Sequence, residues 1–179
     1  MKLIFVTGNK HKLEEAKMIL DGFEIINKNV ELPELQGKAE DIVREKARMA
    51  FAELGRPCFV EDTSLSFNAW NGLPGPYIKD FVERIGVENL PSLLEGKDRA
   101  AMAVSSIGYV DKEGVVHCFQ GVVNGRIVEA AGRKRFDWDC IFKPGGYEKR
   151  FSEMGLEEKN SISHRRKAFE KFKEFLASD

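Results

Sequence analysis

The sequence predicts an α/β protein with an elongated, mixed β-sheet and flanking helices in one domain of 179 residues. Three observations lead to this fold class. Short apolar runs alternate with charged segments of helical periodicity in the first half of the chain, the periodicity changes to two after residue 99, and the final segment returns to helical spacing. The segment from about 99 to 130 is therefore predicted to be an antiparallel lobe of domain 1–179.

The first half is predicted to alternate strands with helices. Its loop 32–37, "LPELQG", is marked by Pro33 and Gly37, which interrupt regular structure. The predicted elements, in chain order, are strand 2–7, helix 10–20, strand 23–28, helix 39–54, strand 58–62 and a further strand around Leu65 and Phe67.

The second half begins with a rigid loop, because the two prolines and two glycines of "NGLPGPY" cannot continue a helix or a central strand. The turn "DKEG" then separates the two halves of a predicted hairpin. The predicted elements are loop 71–77, helices 78–85 and 88–95, hairpin 99–130, irregular segment 131–156 and a last helix over about 161–177.

The composition excludes several classes of function. Hydrophobic residues make up 42% of the chain and charged residues 32%, which is typical of a globular protein. The net charge of −1 provides no basic field for polymeric nucleic acid. No apolar run approaches the roughly 20 residues of a membrane span, and the first residues enter a strand rather than a signal peptide. The sequence thus predicts no membrane and no nucleic-acid partner.

The cysteines favour a reducing compartment. Cys58, Cys118 and Cys140 are odd in number, far apart and without a CxxC pair, so a disulfide framework or zinc cluster is not expected. The three histidines lack HExxH spacing. We therefore expect a cytoplasmic protein in which oxygen ligands hold any metal.

The opening stretch "VTGNKHKLEEA" has the outline of a phosphate-binding loop. It lacks GxxxxGK[ST] and is too short for GxGxxG, so neither nucleotide fingerprint applies. Backbone N–H groups at a helix N-terminus can nevertheless hold an oxyanion, Thr7 and Asn9 can donate further hydrogen bonds, and Lys12 supplies a charge. The alternative is a plain strand-to-helix turn with Asn9 as the N-cap.

Two stretches contain acidic candidates for metal or proton chemistry. In "VEDTS", Glu61 and Asp62 stand at a predicted strand end with side chains on opposite faces, so they are not a dyad. One such carboxylate suits Mg²⁺ or a general base, because hard cations prefer oxygen. The alternative is a strand that runs out into solvent. Glu34 in the loop 32–37 is a further candidate, and its alternative is an acidic loop residue that is simply solvated.

Two later stretches are candidates for base recognition. "RFDWDCIFKPGG" presents Phe136 and Trp138 between acidic residues, an arrangement that suits purine stacking and edge hydrogen bonds, although a core-anchored loop has the same composition. "EEKNSISHRRKAF" places His164 and Arg165 near a helix start, where cations oppose the helix dipole. That placement favours a ligand over helix stability.

Taken in order, five stretches resemble the inosine triphosphate pyrophosphatase family, which removes deaminated purines from the nucleotide pool. They are "FVTGNKHKLEEA", "LPELQG", "VEDTSLSFNAWNGLPGPYIK", "FDWDCIFKP" and "EEKNSISHRRKAF". The resemblance covers residue 4 to about 175. The T-x-N-x-x-K loop, the G-L-P-G-P-Y loop and the S-H-R helix start are specific in combination.

The resemblance implies roles for individual residues. Glu34 and Asp62 would bind Mg²⁺, and Asp62 would also accept the proton. The triphosphate would lie on the opening loop, with Lys12 as the principal charge. The residues implied to bind substrate are Thr7, Gly8, Asn9, Lys10, His11, Lys12, Lys46, Thr63, Lys79 and Lys159, with a base pocket of Phe136, Asp137, Trp138, Asp139, His164 and Arg165.

The resemblance also implies the reaction and the assembly. The family hydrolyses deaminated purine nucleoside triphosphates (ITP, dITP and XTP) to the monophosphate and pyrophosphate with Mg²⁺. Its fold has two lobes around a central substrate cleft, and its members are typically homodimers. This chain departs from the family's usual residues in the base pocket, where Asp137 replaces a common Gly and Cys140 a common Pro.

Two other functions are compatible with the sequence. One is a related pyrophosphatase that acts on modified pyrimidine or other altered nucleotides. The other is a non-catalytic sensor of purine triphosphates, which the retained Glu34 and Asp62 argue against, because a sensor needs no base.

Overall fold

A computed structural model describes residues 2–132 and 138–178 as a mixed α/β structure with a seven-stranded sheet. The strands are β1 Lys2–Val6, β2 Glu24–Lys28, β3 Cys58–Phe67, β4 Pro74–Gly75, β5 Ala100–Val110, β6 Val116–Ile127 and β7 Phe142–Pro144. The helices are α1 Lys10–Ile19, α2 Ala39–Leu54, α3 Ile78–Ile85, α4 Leu156–Ile162 and α5 His164–Ser178. The order in the sheet is β2-β1-β3-β5-β6-β7, and β4 pairs with β3.

The sheet is parallel at its N-terminal strands and antiparallel at its last pair. β1 pairs in parallel with both β2 and β3, as expected for strands joined by helical crossovers. β5 and β6 are neighbours joined by a tight turn in which Asp111 N–H donates to the Val115 carbonyl, and a connection this short joins antiparallel strands. β6 pairs antiparallel with β7. The predicted fold class and hairpin are confirmed.

The chain forms two compact units. The first contains residues 2–63, 105–121 and 164–178, and the second contains residues 64–104 and 122–132 with 138–163. The first is built on aromatic packing: the Phe5 and Phe59 rings stack at 4.5 Å, and Phe169 meets both edge-on. In the second, Trp138 meets Phe142 edge-on inside a buried apolar cluster.

One predicted strand boundary is wrong. The sequence suggested a strand that ends at residue 62 and a separate one around Leu65 and Phe67, whereas β3 is continuous from Cys58 to Phe67. The polar residues in its middle remain in the strand because their side chains have buried or half-buried ionic partners.

Three predicted helical or irregular segments also differ from the structure. Residues 87–94 form a 3₁₀-helix rather than the predicted helix 88–95, because Pro91 has no N–H for an α-helical hydrogen bond. The last helix begins at His164 rather than about 161, after Ser163 adopts an extended conformation that separates it from α4. The segment predicted as irregular contains β7. Within residues 2–132 and 138–178, no helix has the length and apolar character to cross a membrane.

Candidate active site

The opening loop leads into α1 and caps its N-terminus. Thr7 Oγ1 accepts a hydrogen bond from Asn9 N–H at 3.1 Å, and Asn9 Oδ1 accepts from the N–H groups of His11 and Lys12 at 3.0 and 3.2 Å. Asn9 is therefore the N-cap of α1, as the sequence allowed. The cap holds the loop in one shape and takes up two of the N–H groups that an oxyanion could use, while the Asn9 amide N–H₂ and Thr7 remain half-buried donors.

The other loop residues differ in exposure. Gly8, Lys10 and His11 are exposed, and His11 Nδ1 lies 3.9 Å from Glu14. The Lys12 side chain instead turns inward, with only 13% of its surface exposed. Among these residues the loop therefore presents one well-held cation, Lys12.

Lys12 contacts the middle of β3. Its Nζ lies 2.9 Å from the carbonyl oxygen of Glu61, 2.9 Å from Glu61 Oε2 and 3.8 Å from Asp62 Oδ1. The ammonium is thus placed beside the carboxylate of Asp62, the residue predicted to accept a proton. A lysine at the start of α1 and an acid on β3 meet because β1 and β3 are parallel neighbours.

Asp62 also binds Lys46, which projects from α2. Lys46 Nζ donates to Asp62 Oδ2 at 2.7 Å and to Glu34 Oε2 at 3.1 Å. Burial by itself lowers the pKa of the Lys46 ammonium, but the charge of Asp62 and the hydrogen bonds to Asp62 and Glu34 outweigh it, so the pKa is raised. One ammonium therefore lies between the two carboxylates predicted to bind metal.

Glu61, which faces away from Asp62, is fully buried. Its Oε1 accepts from Ser105 Oγ at 2.6 Å and from Arg165 Nε at 3.1 Å, and Arg165 also pairs with buried Glu15. Burial by itself raises the pKa of the Glu61 carboxyl, but the charges of Arg165 and Lys12 and the hydrogen bonds outweigh it and hold the pKa well below its usual range. Glu61 is an ionised carboxylate inside the protein.

These contacts join into one chain of alternating charges in the first unit. Each cation in the chain bridges two carboxylates, and one end is buried while the other is exposed, since the Glu34 side chain is 72% exposed. In order, the members are Glu15, Arg165, Glu61, Lys12, Asp62, Lys46 and Glu34.

The second unit holds four more of the predicted residues. Lys159 Nζ lies 2.6 Å from Asp139 Oδ2, and both side chains are buried. Trp138 is 1% exposed and belongs to the apolar core, which matches a core-anchored loop. Lys79 is exposed on α3.

Two further predicted residues lie next in sequence to members of this chain of charges. Thr63 is half-buried directly after Asp62, and His164 is buried at the first position of α5. Phe136 and Asp137 lie outside the described residues. Cys140 is buried in the core of the second unit.

Sequence reasoning considered Glu61 but did not identify it as a buried counter-ion, and it missed Glu15 and Ser105. A signal for Glu61 was present, since a strand period of two puts Glu61 on the same face as Phe59, which is in the core. Glu15 likewise lies four residues before buried Ile19 on α1. An acid at a core position of an amphipathic element indicates a buried partner.

The donor set fits a magnesium ion completed by substrate. In the part of the chain that the structure describes, no group of three or more His, Cys, Asp or Glu side chains could hold a metal by itself. Mg²⁺ is commonly held by one or two carboxylates together with substrate phosphates and water. Glu34 and Asp62, which already share one cation, provide such a pair.

A mixed α/β sheet with lysine ammonium groups gathered beside the carboxylates of one strand is typical of α/β proteins that bind phosphorylated ligands. The chain belongs to the Ham1 family, whose sequence model matches residues 3–175.

Relatives of known name agree with this assignment. The chain is 45% identical to the inosine triphosphate pyrophosphatase of Scheffersomyces stipitis, covering 97% of each chain. It is 42% identical to the protein of the same name from Schizosaccharomyces pombe, over 99% of this chain and 96% of the relative.

Solved structures agree with the fold. A HAM1 protein from Coxiella burnetii aligns with a TM-score of 0.88 at 24% identity over 100% of both chains. A nucleoside-triphosphatase / dITP/XTP pyrophosphatase from Mycobacterium abscessus aligns with a TM-score of 0.74 at 30% identity, over 96% of this chain and 98% of that one.

Proposed function

We propose that this protein hydrolyses deaminated purine nucleoside triphosphates (ITP, dITP and XTP) to the monophosphate and pyrophosphate, with Mg²⁺ bound by Glu34 and Asp62. The observation that carries the proposal is the pair of lysines, Lys12 and Lys46, held on either side of Asp62. The family membership and the names of the relatives support the substrate class.

Asp62 is suited to accept the proton of the attacking water. Its carboxylate is 32% exposed, so water can reach it, and it stands on a rigid strand rather than a loop. A positioned carboxylate of this kind contributes about 10²–10⁴-fold to a rate as a general base. A Mg²⁺ held at Glu34 and Asp62 would neutralise phosphate charge and orient the phosphates.

Lys12 and Lys46 are suited to bind the phosphates. Both side chains are largely shielded from solvent, at 13% and 11% exposure, so their charges are weakly screened. Phosphate oxygens offer Lys46 acceptors that replace the carboxylate oxygens it binds here. The two ammonium groups would thereby neutralise the charge that develops on the leaving pyrophosphate.

Base selection belongs to the same proposal. The residues proposed for the base pocket are those that the family resemblance implies, and a donor facing the 6-oxo group would reject adenine. A buried donor that meets the amino group of adenine loses its partner, at a cost of about 1–3 kcal/mol. Cytoplasmic location and homodimeric assembly also stay part of the proposal.

One assay tests the proposal and separates its rivals. Purified protein with Mg²⁺ is incubated with ITP, XTP, dITP, GTP, ATP and dUTP, with and without added inorganic pyrophosphatase, and the nucleotide products are identified by chromatography. We expect IMP and pyrophosphate from ITP, with little turnover of ATP. IDP as the first product would contradict the proposal. Preferred turnover of dUTP would favour the pyrimidine enzyme, and binding without turnover would favour the sensor.

A further inference from the structure

The buried carboxylate of Glu61 bridges two cations that come from opposite ends of the chain. Arg165 Nε lies 3.1 Å from its Oε1 and Lys12 Nζ lies 2.9 Å from its Oε2, while Ser105 Oγ donates to Oε1 at 2.6 Å. The Glu61 side chain is 0% exposed. A bridge of this kind fixes the position of each group, because every departure leaves a charge buried with a weaker partner.

Lys12 depends on residue 61 more than on any other residue that it contacts. Both the carbonyl oxygen and the carboxylate of Glu61 lie 2.9 Å from its Nζ, and the next contact, Asp62 Oδ1, is 3.8 Å away. A lysine side chain loses most of its rotamer entropy when it is held in one place. That loss is incurred on folding, before any ligand arrives.

Asp62 has its closer contact elsewhere, since Lys46 binds its Oδ2 at 2.7 Å. The distance from Lys12 to Asp62, 3.8 Å, is therefore longer than its distance of 2.9 Å to Glu61. The ion pair between Lys12 and Asp62 is thus longer than the other ion pair that each of them makes.

We propose that Glu61 is a positioning residue for the reaction: it holds the Lys12 ammonium at the triphosphate site and keeps it from closing onto Asp62. This inference rests on the proposed function. Glu61 itself is buried and acts through Lys12. Without its carboxylate, Asp62 becomes the nearest anion to Lys12, so the ammonium shifts toward the proton acceptor and away from the phosphates.

Glu15 provides a matched control for the removal of a buried charge. It is 3% exposed and pairs with Arg165 on the side away from Glu61. Glu15→Gln and Glu61→Gln thus each remove one buried carboxylate from Arg165. Only Glu61→Gln also removes the carboxylate that holds Lys12.

The experiment compares Glu61→Gln, Glu15→Gln, Lys12→Met and the Lys12→Met/Glu61→Gln double variant. The readouts are kcat and KM for ITP, the Kd of inorganic pyrophosphate by calorimetry, and Tm. We expect Tm to fall similarly in both single glutamine variants. For Glu61→Gln we expect kcat to fall about 10- to 100-fold and the pyrophosphate Kd to rise about tenfold. KM should change less than about threefold, because Lys12 acts on the charge that develops on the leaving pyrophosphate in the transition state.

The controls show whether Glu61 positions Lys12 or only stabilises the fold. Glu15→Gln should keep kcat and pyrophosphate affinity within about threefold of wild type, and in the Lys12→Met background Glu61→Gln should add no further loss. Equal kinetic losses in the two glutamine variants, or losses that multiply in the double variant, would overturn the proposal. If Glu61→Gln does not fold, Glu61→Asp replaces it, with lowered kcat and near wild-type Tm expected.

The pyrophosphate measurement keeps this proposal separate from the proposed function. If the wild-type protein releases no pyrophosphate from any nucleotide, the proposed function fails. The affinity for pyrophosphate still decides whether Glu61 positions Lys12. Equal pyrophosphate affinity in wild type and Glu61→Gln would then refute the positioning role.

Discussion

Single residues in this protein take their roles from the charges beside them. Asp62 and Glu61 are adjacent in β3, yet the first is 32% exposed between two lysines and the second is fully enclosed with Arg165 and Ser105. The same side-chain chemistry therefore occurs as the proposed proton acceptor at one position and as an internal counter-ion at the next.

Replacement of Asp62 by asparagine tests the proton acceptor. Asp62→Asn keeps the shape and hydrogen bonding of the side chain but removes its basicity, so kcat should fall about 10²–10⁴-fold while ITP still raises Tm. Asp41→Asn, at an exposed position of α2, is the matched control and should retain full activity. A substantial fraction of wild-type turnover in Asp62→Asn would exclude the role.

Replacement of Lys46 tests whether its ammonium group and a divalent cation compete for the same carboxylate oxygens. The ammonium binds Glu34 and Asp62, so a divalent cation at the same carboxylates competes with it. Without nucleotide, Lys46→Met should bind Mn²⁺ about tenfold more tightly than wild type, which corresponds to about 1.4 kcal/mol. Its ITP turnover should fall, because the phosphates lose a cation. Calorimetry measures the first effect, and unchanged or weaker Mn²⁺ binding would show that Lys46 does not compete.

At the scale of elements, β6 and the start of α5 pack with no room for a side chain between them. A Cβ at Gly121 would lie 2.0 Å from the carbonyl oxygen of His164 and 2.4 Å from the backbone nitrogen of Ala168. The glycine thus sets the depth at which α5 lies, and with it the position of Arg165.

Gly121→Ala should therefore disturb both stability and the site. Overpacking typically costs about 1–3 kcal/mol, and here the obstruction is backbone, which cannot rotate away. We expect a loss of at least about 2 kcal/mol in denaturant unfolding, with lowered kcat. Gly155→Ala is the control, since a Cβ there meets nothing within 4 Å, and it should cost less than about 1 kcal/mol. Similar losses in both variants would contradict the close packing of β6 against α5.

At the scale of the whole molecule, stability at alkaline pH should depend on a buried thiol. Burial raises the pKa of Cys58 to about 11 from its ordinary 9.0. Because the folded state retains the proton where the unfolded state has lost it, the stabilising contribution is complete below pH 9 and is lost as pH rises toward 11.

The free energy of unfolding should accordingly fall by up to about 3 kcal/mol across that window from this group, at 1.36 kcal/mol per unit of pKa. Urea titrations of wild type and Cys58→Val at pH 8, 9, 10 and 11 measure the difference. The valine variant should show the shallower decline. Identical pH slopes in the two proteins would mean that the Cys58 thiol ionises alike in both states.

The sequence by itself determined the order of the elements and supplied the candidates for the site. Strand and helix periodicity, the Asn9 cap and the hairpin turn depend on neighbours within about four residues, so they can be predicted from a local pattern. Lys12, Glu34, Lys46 and Asp62 were predicted from the resemblance to a family.

Only the tertiary structure decided which charges meet. Glu61 and Arg165 are 104 residues apart, and Glu15 and Arg165 are 150 apart, so no local pattern connects them. The predicted cations at the start of α5 oppose its dipole, and Arg165 is stabilised there by two buried carboxylates. The same pairing allows β3 to continue through Glu61 and Asp62, because a buried charge is tolerated in a strand only when packing brings its counter-ion within reach.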